Sequence, residues 1–177
     1  MPRRFKRTAH RVSLTAMFAS MSLLFLYLAS ILPTMSIAMF FLSSVFVMGL
    51  VLEEEIGLAF LMFAVVALLS LPLMPNIYYV IPYVLFFGHY GIGKYYIETR
   101  VRDKIVQYIL KLLYYNVALV LMYLLVSEVL LSDILSAGIA YWLIIVIAEV
   151  AFVVYDFVFT KVTGYYFNNI RRLLMKD

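Results

Sequence analysis

Long uncharged apolar runs, separated by short polar turns, limit how this sequence can fold more than any other feature. The clearest run extends from Val12 to Leu32. A helix needs about 20 such residues to cross a lipid core of about 30 Å. Apolar residues make up 66% of the chain and charged residues only 14%, and a soluble fold of this length cannot bury so much apolar surface. The sequence therefore predicts an integral membrane protein.

Six such runs predict an all-α membrane protein, a compact bundle of six transmembrane helices. Prolines and the acidic run Glu53–Glu55 separate the first runs from one another. The fourth run contains Pro82 and three glycines, which predict a kink or a break. We expect one integral membrane domain covering residues 1–177. Its spans are predicted at residues 12–32, 35–52, 56–74, 76–97, 105–131 and 134–159.

The lysines and arginines predict the orientation of the bundle. All 14 lie before the first span, around the junction of the fourth and fifth spans, or after the sixth. Because cytoplasmic loops carry the excess of these residues, we expect both termini in the cytoplasm and a multi-pass protein of the cell membrane. The same basic segments attract anionic lipid headgroups, at about 1 kcal/mol per cation. This explains the net charge of +4 better than nucleic-acid binding does.

Polar side chains inside the spans are candidate functional groups, because a charge in lipid is retained only with a partner or a purpose. Four-residue spacing places Tyr90, Lys94 and Glu98 on one helix face, and it allows Lys94 to pair with Glu98. Alternatively, these residues lie at the headgroup boundary, where Lys94 snorkels towards water. We predict one polar cluster, formed by Tyr90, Lys94, Glu98, Lys111, Asn116 and Glu149.

The sixth span places Glu149 about 15 Å from its cytoplasmic end. This glutamate is expected to be neutral, to pair with Lys111, or to serve a function. Asp156 lies nearer the cytoplasmic end, where it fits an interfacial position. Asn116 is typical of a hydrogen bond between membrane helices, worth about 1 kcal/mol.

Small residues on the first span predict close contact with another helix. Two pairs have the required four-residue spacing, Thr15 with Ala19 and Ala16 with Ser20. Such pairs allow helix backbones to approach each other. They serve either internal packing or the docking of a partner protein.

Polar and aromatic residues near the outer helix ends have two interpretations. They form a belt at the headgroups, which is common in membrane proteins, or some of them line an outward-facing ligand pocket. The predicted ligand-binding residues are Asn76, Tyr79, Tyr83 and Trp142.

The sequence contains no motif of an enzyme. The absence of cysteine excludes disulfides, thiolate metal sites and cysteine nucleophiles. Of the two histidines, His10 lies in the basic tail and His89 is expected to pack between helices. We therefore predict neither catalysis nor a cofactor or metal.

In topology the whole chain resembles the S components of energy-coupling factor transporters. It shares with them six short helices, cytoplasmic ends and a first helix rich in small residues. The stretch from Phe86 to Glu98, with Lys111 and Asn116, is similar to uncharacterised bacterial membrane proteins of this type. The docking pair would be Ala16 and Ser20, where that family has two alanines.

The resemblance implies a substrate-capture subunit for a vitamin or small metabolite. It also implies a transmembrane scaffold and two ATPase subunits as partners. The alternative function is that of a structural or regulatory membrane protein without a transported ligand.

Overall fold

The structure, a computed structural model, describes the backbone of residues 2–136 and 141–165. It describes the side chains of residues 9, 11–125, 143 and 145–165. These residues are helical apart from short connections, and none of them lies in a strand. The predicted all-α class is confirmed. The chain divides into two compact units, residues 1–107 and 108–177.

The first unit consists of three long helices followed by a composite helical run. Two of the connections contain a short 3₁₀ turn. The elements are α1 (Pro2–Ile31), a 3₁₀ turn (Pro33–Met35), α2 (Ser36–Leu52), α3 (Ile56–Leu73), a 3₁₀ turn (Ile77–Tyr79), α4 (Val80–Pro82), a π-helical turn (Tyr83–Phe87) and α5 (Gly88–Arg100). The bounds of α2 and α3 lie within one residue of the predicted spans 35–52 and 56–74, whereas α1 begins at Pro2, well before the predicted start at residue 12.

The fourth predicted span is a continuous helical run with a local change of winding. Pro82 is the third residue of α4, within its first turn, where an N–H has no acceptor inside that helix. Directly after it the winding widens, and the N–H of Gly88 donates to the carbonyl of Tyr83, five residues earlier. The expected irregularity is therefore present, but the helix does not break.

Close helix packing holds the first unit together. α1 packs on α2 and α3, and α5 packs on the same two helices. Gly88 and Gly91 allow this approach, because a Cβ at Gly88 would lie 2.6 Å from the ring of Phe63 and one at Gly91 would lie 3.2 Å from Met48. The fully buried apolar residues among the described part of this unit are Leu26, Ala29, Val47, Ala59, Val66 and Tyr83.

The second unit contains α6 (Lys104–Ser136), apart from its first residues, and α7 (Tyr141–Tyr165). The rings of Tyr115 and Phe152 stack with their centroids 4.4 Å apart. Phe152 and Phe159 are buried. Many outward-facing residues of both helices are large and apolar, as expected for a surface in contact with lipid.

Four helical stretches of the described chain are long and apolar enough to cross a membrane, with mean hydropathies of 1.7 to 2.5. This supports an integral membrane protein. The cell membrane, six crossings and cytoplasmic termini remain predictions. The four stretches are Arg11–Ile31, Pro33–Leu52, Ile56–Leu73 and Lys104–Leu125.

The predicted topology can be tested by labelling single cysteines, because the chain contains none of its own. Asn76→Cys is expected to react with an impermeant maleimide from outside the cell, since this exposed residue follows α3. Thr99→Cys, which is exposed at the other end of the same helical run, is expected to react only after permeabilisation. Labelling of both positions from the same side would contradict six spans.

Candidate functional site

The C-terminal half of α5 carries the predicted lysine–glutamate pair. Lys94 Nζ lies 3.0 Å from Glu98 Oε1. The side chain of Lys94 is 1% exposed, so this lysine does not snorkel towards water. Tyr90, one turn earlier, is also buried, and its ring lies 4.9 Å from that of Phe86. The i, i+4 spacing was thus sufficient to find this pair.

A second ion pair joins α6 to α7 and differs from the one considered in the sequence. Lys111 Nζ lies 3.2 Å from Asp156 Oδ2, and both side chains are 4% exposed. The pairing of Lys111 with Glu149, one of the alternatives considered for that glutamate, is therefore wrong. Antiparallel packing is the reason, because it places Lys111 opposite a residue nearer the end of α7. The positions of Glu149 and Asp156 along α7 do not by themselves show how α7 is aligned against α6.

Asn116 is the partner that the structure places beside Glu149. Its Nδ2 donates to Glu149 Oε1 at 2.8 Å and to the carbonyl of Leu112 at 3.0 Å. One residue earlier, the hydroxyl of Tyr115 donates to the carbonyl of Ala148 at 3.0 Å. The predicted asparagine bond between helices is confirmed.

The six residues of the predicted polar cluster lie in the two units. The α5 residues belong to the first unit, and Lys111, Asn116 and Glu149 belong to the second. Each group has internal partners, namely one ion pair in α5 and an ion pair plus an amide–carboxyl bond between α6 and α7. Such pairs offset the cost of placing polar groups in a medium of low dielectric constant. In this arrangement the groups stabilise helices, and Glu149 alone keeps a buried oxygen without a hydrogen bond.

The predicted ligand residues do not share one surface. Asn76 is exposed, and its Oδ1 accepts the N–H of Tyr78 at 2.9 Å. Tyr79 is half-buried beside the ring of Phe40. Tyr83 is fully buried, which places it in the interior of the first unit rather than at an outward-facing pocket. The side chain of Trp142 lies outside the described residues.

A buried hydroxyl network that the sequence analysis missed explains the position of Tyr83. Ser22 Oγ and Ser43 Oγ lie 2.7 Å apart, and either hydroxyl can donate to the other. Each hydroxyl can instead donate to the backbone carbonyl of the other serine. The hydroxyl of Tyr83 is 3.4 Å from Ser22 Oγ. A hydroxyl in lipid needs such partners. In the sequence, the only indication of this network is the presence of serines inside two neighbouring apolar runs.

The small residues of α1 are divided between two faces. Thr15 and Ala19 are half-buried, whereas Ala16 and Ser20 are exposed. The Thr15 and Ser20 hydroxyls donate to the carbonyls four residues earlier, so neither needs an outside acceptor. Ala9 and Ser13 are exposed as well and extend the outer face. The four exposed small residues, Ala9, Ser13, Ala16 and Ser20, form a stripe with helical spacing, here called the α1 stripe.

A cavity of about 140 Å³ lies between α6 and α7 in the second unit. Apart from Asp156, whose carboxylate pairs with Lys111, its lining is apolar or aromatic. Its chemistry fits hydrocarbon better than a polar ligand. The lining residues are Tyr108, Ile109, Leu112, Phe152, Val153 and Asp156.

Comparison of the chain with protein-family models, curated proteins and solved structures gives no match.

Proposed function

We propose that this protein is a membrane-embedded capture subunit of an uptake system for a vitamin or small metabolite. In this role it binds its substrate from outside and docks on a transmembrane scaffold protein, which ATPase subunits drive. The observation that supports the proposal is the α1 stripe. The resemblance in topology to S components of energy-coupling factor transporters supplies the class of partner.

The α1 stripe has the properties of a helix-docking surface. Its side chains are small, so a second backbone can approach closely. The hydroxyl of Ser20 donates a hydrogen bond to the carbonyl of Ala16. Contact with an apolar helix therefore does not leave this hydroxyl without an acceptor. On the opposite face, Phe18, Ser22, Leu26 and Ala29 are buried. The bundle thus packs through one face of α1 and leaves the stripe exposed.

Ligand capture is proposed at the connection between α3 and α4. Asn76, Ile77 and Tyr78 are exposed there, and Tyr79 adds a half-buried ring. On the predicted topology this connection lies on the outer side. Tyr83 is not a ligand contact in the proposal. It is buried beside Ser22, so its role is to pack the helices below this connection.

Bulky residues in the α1 stripe provide the test. The double variant Ala16→Leu with Ser20→Leu is expected to fold normally and to lose co-purification with a membrane scaffold and its ATPases. Steric clash with the partner helix is the reason. Ala38→Leu adds comparable bulk at an exposed alanine of α2 and is expected to keep the partners.

Each result separates the proposal from its alternative. A double variant that fails to fold would show that the stripe is part of the bundle's own packing. Wild-type protein that co-purifies with no ATPase would contradict the capture role. The second candidate function, a structural or regulatory membrane protein, would then stand, favoured by the mutual pairing of Lys111 with Asp156 and of Asn116 with Glu149.

A further inference from the structure

Three exposed basic residues lie at the connection between α5 and α6, and they are here called the connection cations. They are Arg100, Arg102 and Lys104. No acidic side chain of the described residues lies within ion-pair distance of any of them. Elsewhere in the described chain, basic side chains pair with carboxylates. The paired ones are Arg11, Lys94 and Lys111.

Hydrogen bonds fix the backbone that carries these cations. Gln107 Nε2 donates to the carbonyl of Val101 at 2.6 Å. Asp103 is the one acid among the cations, and its Oδ1 accepts the N–H of Ile105 at 2.8 Å, which caps the start of α6. The connection nevertheless keeps a net charge of +2. The positive charges are therefore held close together without a neutralising partner.

Exposed apolar and aromatic residues flank the connection cations. Ile105 is 70% exposed, and Val106 beside it is exposed as well. On the α5 side, the ring of exposed Tyr96 lies 5.4 Å from Cζ of Arg100. Lys104 is the first residue of an apolar stretch that is long enough to cross a membrane. Cations and aromatic rings at the end of such a stretch are typical of the headgroup layer.

We propose that the connection cations form a binding site for the headgroup of an anionic phospholipid. The guanidinium groups of Arg100 and Arg102 donate charge-assisted hydrogen bonds to the phosphate oxygens, and the acyl chains lie against Ile105 and Val106. These apolar neighbours favour a lipid over free phosphate, since a soluble anion would leave them exposed to water. The proposal assigns the lipid to one site, and it does not depend on the capture role.

Fluorescence quenching by brominated lipids measures lipid binding at a chosen position. The chain has one tryptophan, Trp142, so Trp142→Phe removes the background and Ile105→Trp places a reporter beside the connection cations. The full chain is reconstituted in vesicles of phosphatidylcholine and phosphatidylglycerol, of which one is brominated at a time. We expect phosphatidylglycerol to bind at this reporter at least about fivefold more strongly than phosphatidylcholine, which is the contribution of a single cation.

A second reporter position and two sets of charge variants are the controls. Ile37→Trp, in the same background, replaces a residue that is 69% exposed near the start of another apolar stretch. No lysine or arginine lies between residues 12 and 93, so this reporter is expected to show no preference. Replacement of the connection cations by glutamine is expected to abolish the preference at Ile105→Trp. Arg11→Gln, which removes a cation already paired with Glu55, is expected to keep it.

Four outcomes would overturn the proposal. They are equal binding of the two lipids at Ile105→Trp, a preference of the same size at Ile37→Trp, a preference that survives the glutamine replacements, and displacement of phosphatidylglycerol by inorganic phosphate at constant ionic strength. If the glutamine variant does not fold, the salt dependence of the wild-type cations decides. Their preference is expected to fall as ionic strength rises, because salt screens exposed charges, and a preference insensitive to salt would contradict the site.

Discussion

Replacement of Lys111 by alanine is expected to lower the free energy of unfolding by about 3–5 kcal/mol. The change leaves the carboxylate of Asp156, which is 4% exposed on its side chain, buried without this cation. Asp156→Ala is expected to have an effect of similar size, because it removes this carboxylate from the buried lysine. Reversible unfolding of the protein in mixed micelles measures both losses.

The paired change Lys111→Met with Asp156→Leu is the informative comparison. It removes both charges and fills the space with apolar side chains, so its loss is expected to be smaller than either single loss. The pair of exposed Arg11 and half-buried Glu55, 2.8 Å apart, serves as the control. Removal of either member is expected to cost less than about 1 kcal/mol. Strictly additive losses for Lys111 and Asp156 would show that the two residues act separately.

Gly88→Ala is expected to destabilise the first unit by about 1–3 kcal/mol. The added Cβ would lie 2.6 Å from the ring of Phe63 and 2.8 Å from the carbonyl of Tyr83. The carbonyl is backbone and cannot turn away as a side chain can. Alanine is the better helix former by about 1 kcal/mol, and the clash is expected to outweigh this gain. Unfolding in micelles provides the measurement.

Gly57→Ala is the matched control for this prediction. No atom lies within 4 Å of a Cβ built at Gly57, near the start of α3. The substitution is therefore expected to leave stability unchanged or to raise it by up to about 1 kcal/mol. If the two alanine variants were equally stable, close packing at Gly88 would not limit the approach of α3.

The helices themselves were predictable because lipid simplifies their recognition. Length and lack of charge identify a membrane helix with little regard to its neighbours. The ends of α2 and α3 agree with the predicted spans to within one residue. The pair of Lys94 with Glu98 was predictable for a related reason, since four-residue spacing brings two side chains together within one helix.

The contacts between helices were not predictable in the same way. They depend on register and rotation, and a uniformly apolar helix contains little information about either. Lys111 meets Asp156 instead of Glu149 because of the antiparallel register of α6 and α7. Similarly, Tyr83 turns into the interior, near Ser22, although its position near a helix end predicted an outward-facing side chain.

The sequence alone determined the helical class of this protein and the bounds of α2 and α3, and its apolar runs predict lipid surroundings. Backbone polar groups in lipid must bond within their own segment, which leaves an apolar run little choice but a helix. The tertiary structure decided which polar groups of neighbouring helices lie opposite each other and which small residues of α1 are exposed. It also decided which oxygen of Glu149 lacks a hydrogen bond. These features depend on how helices rotate and slide against one another, and such motions change the neighbours of a residue without changing its helix.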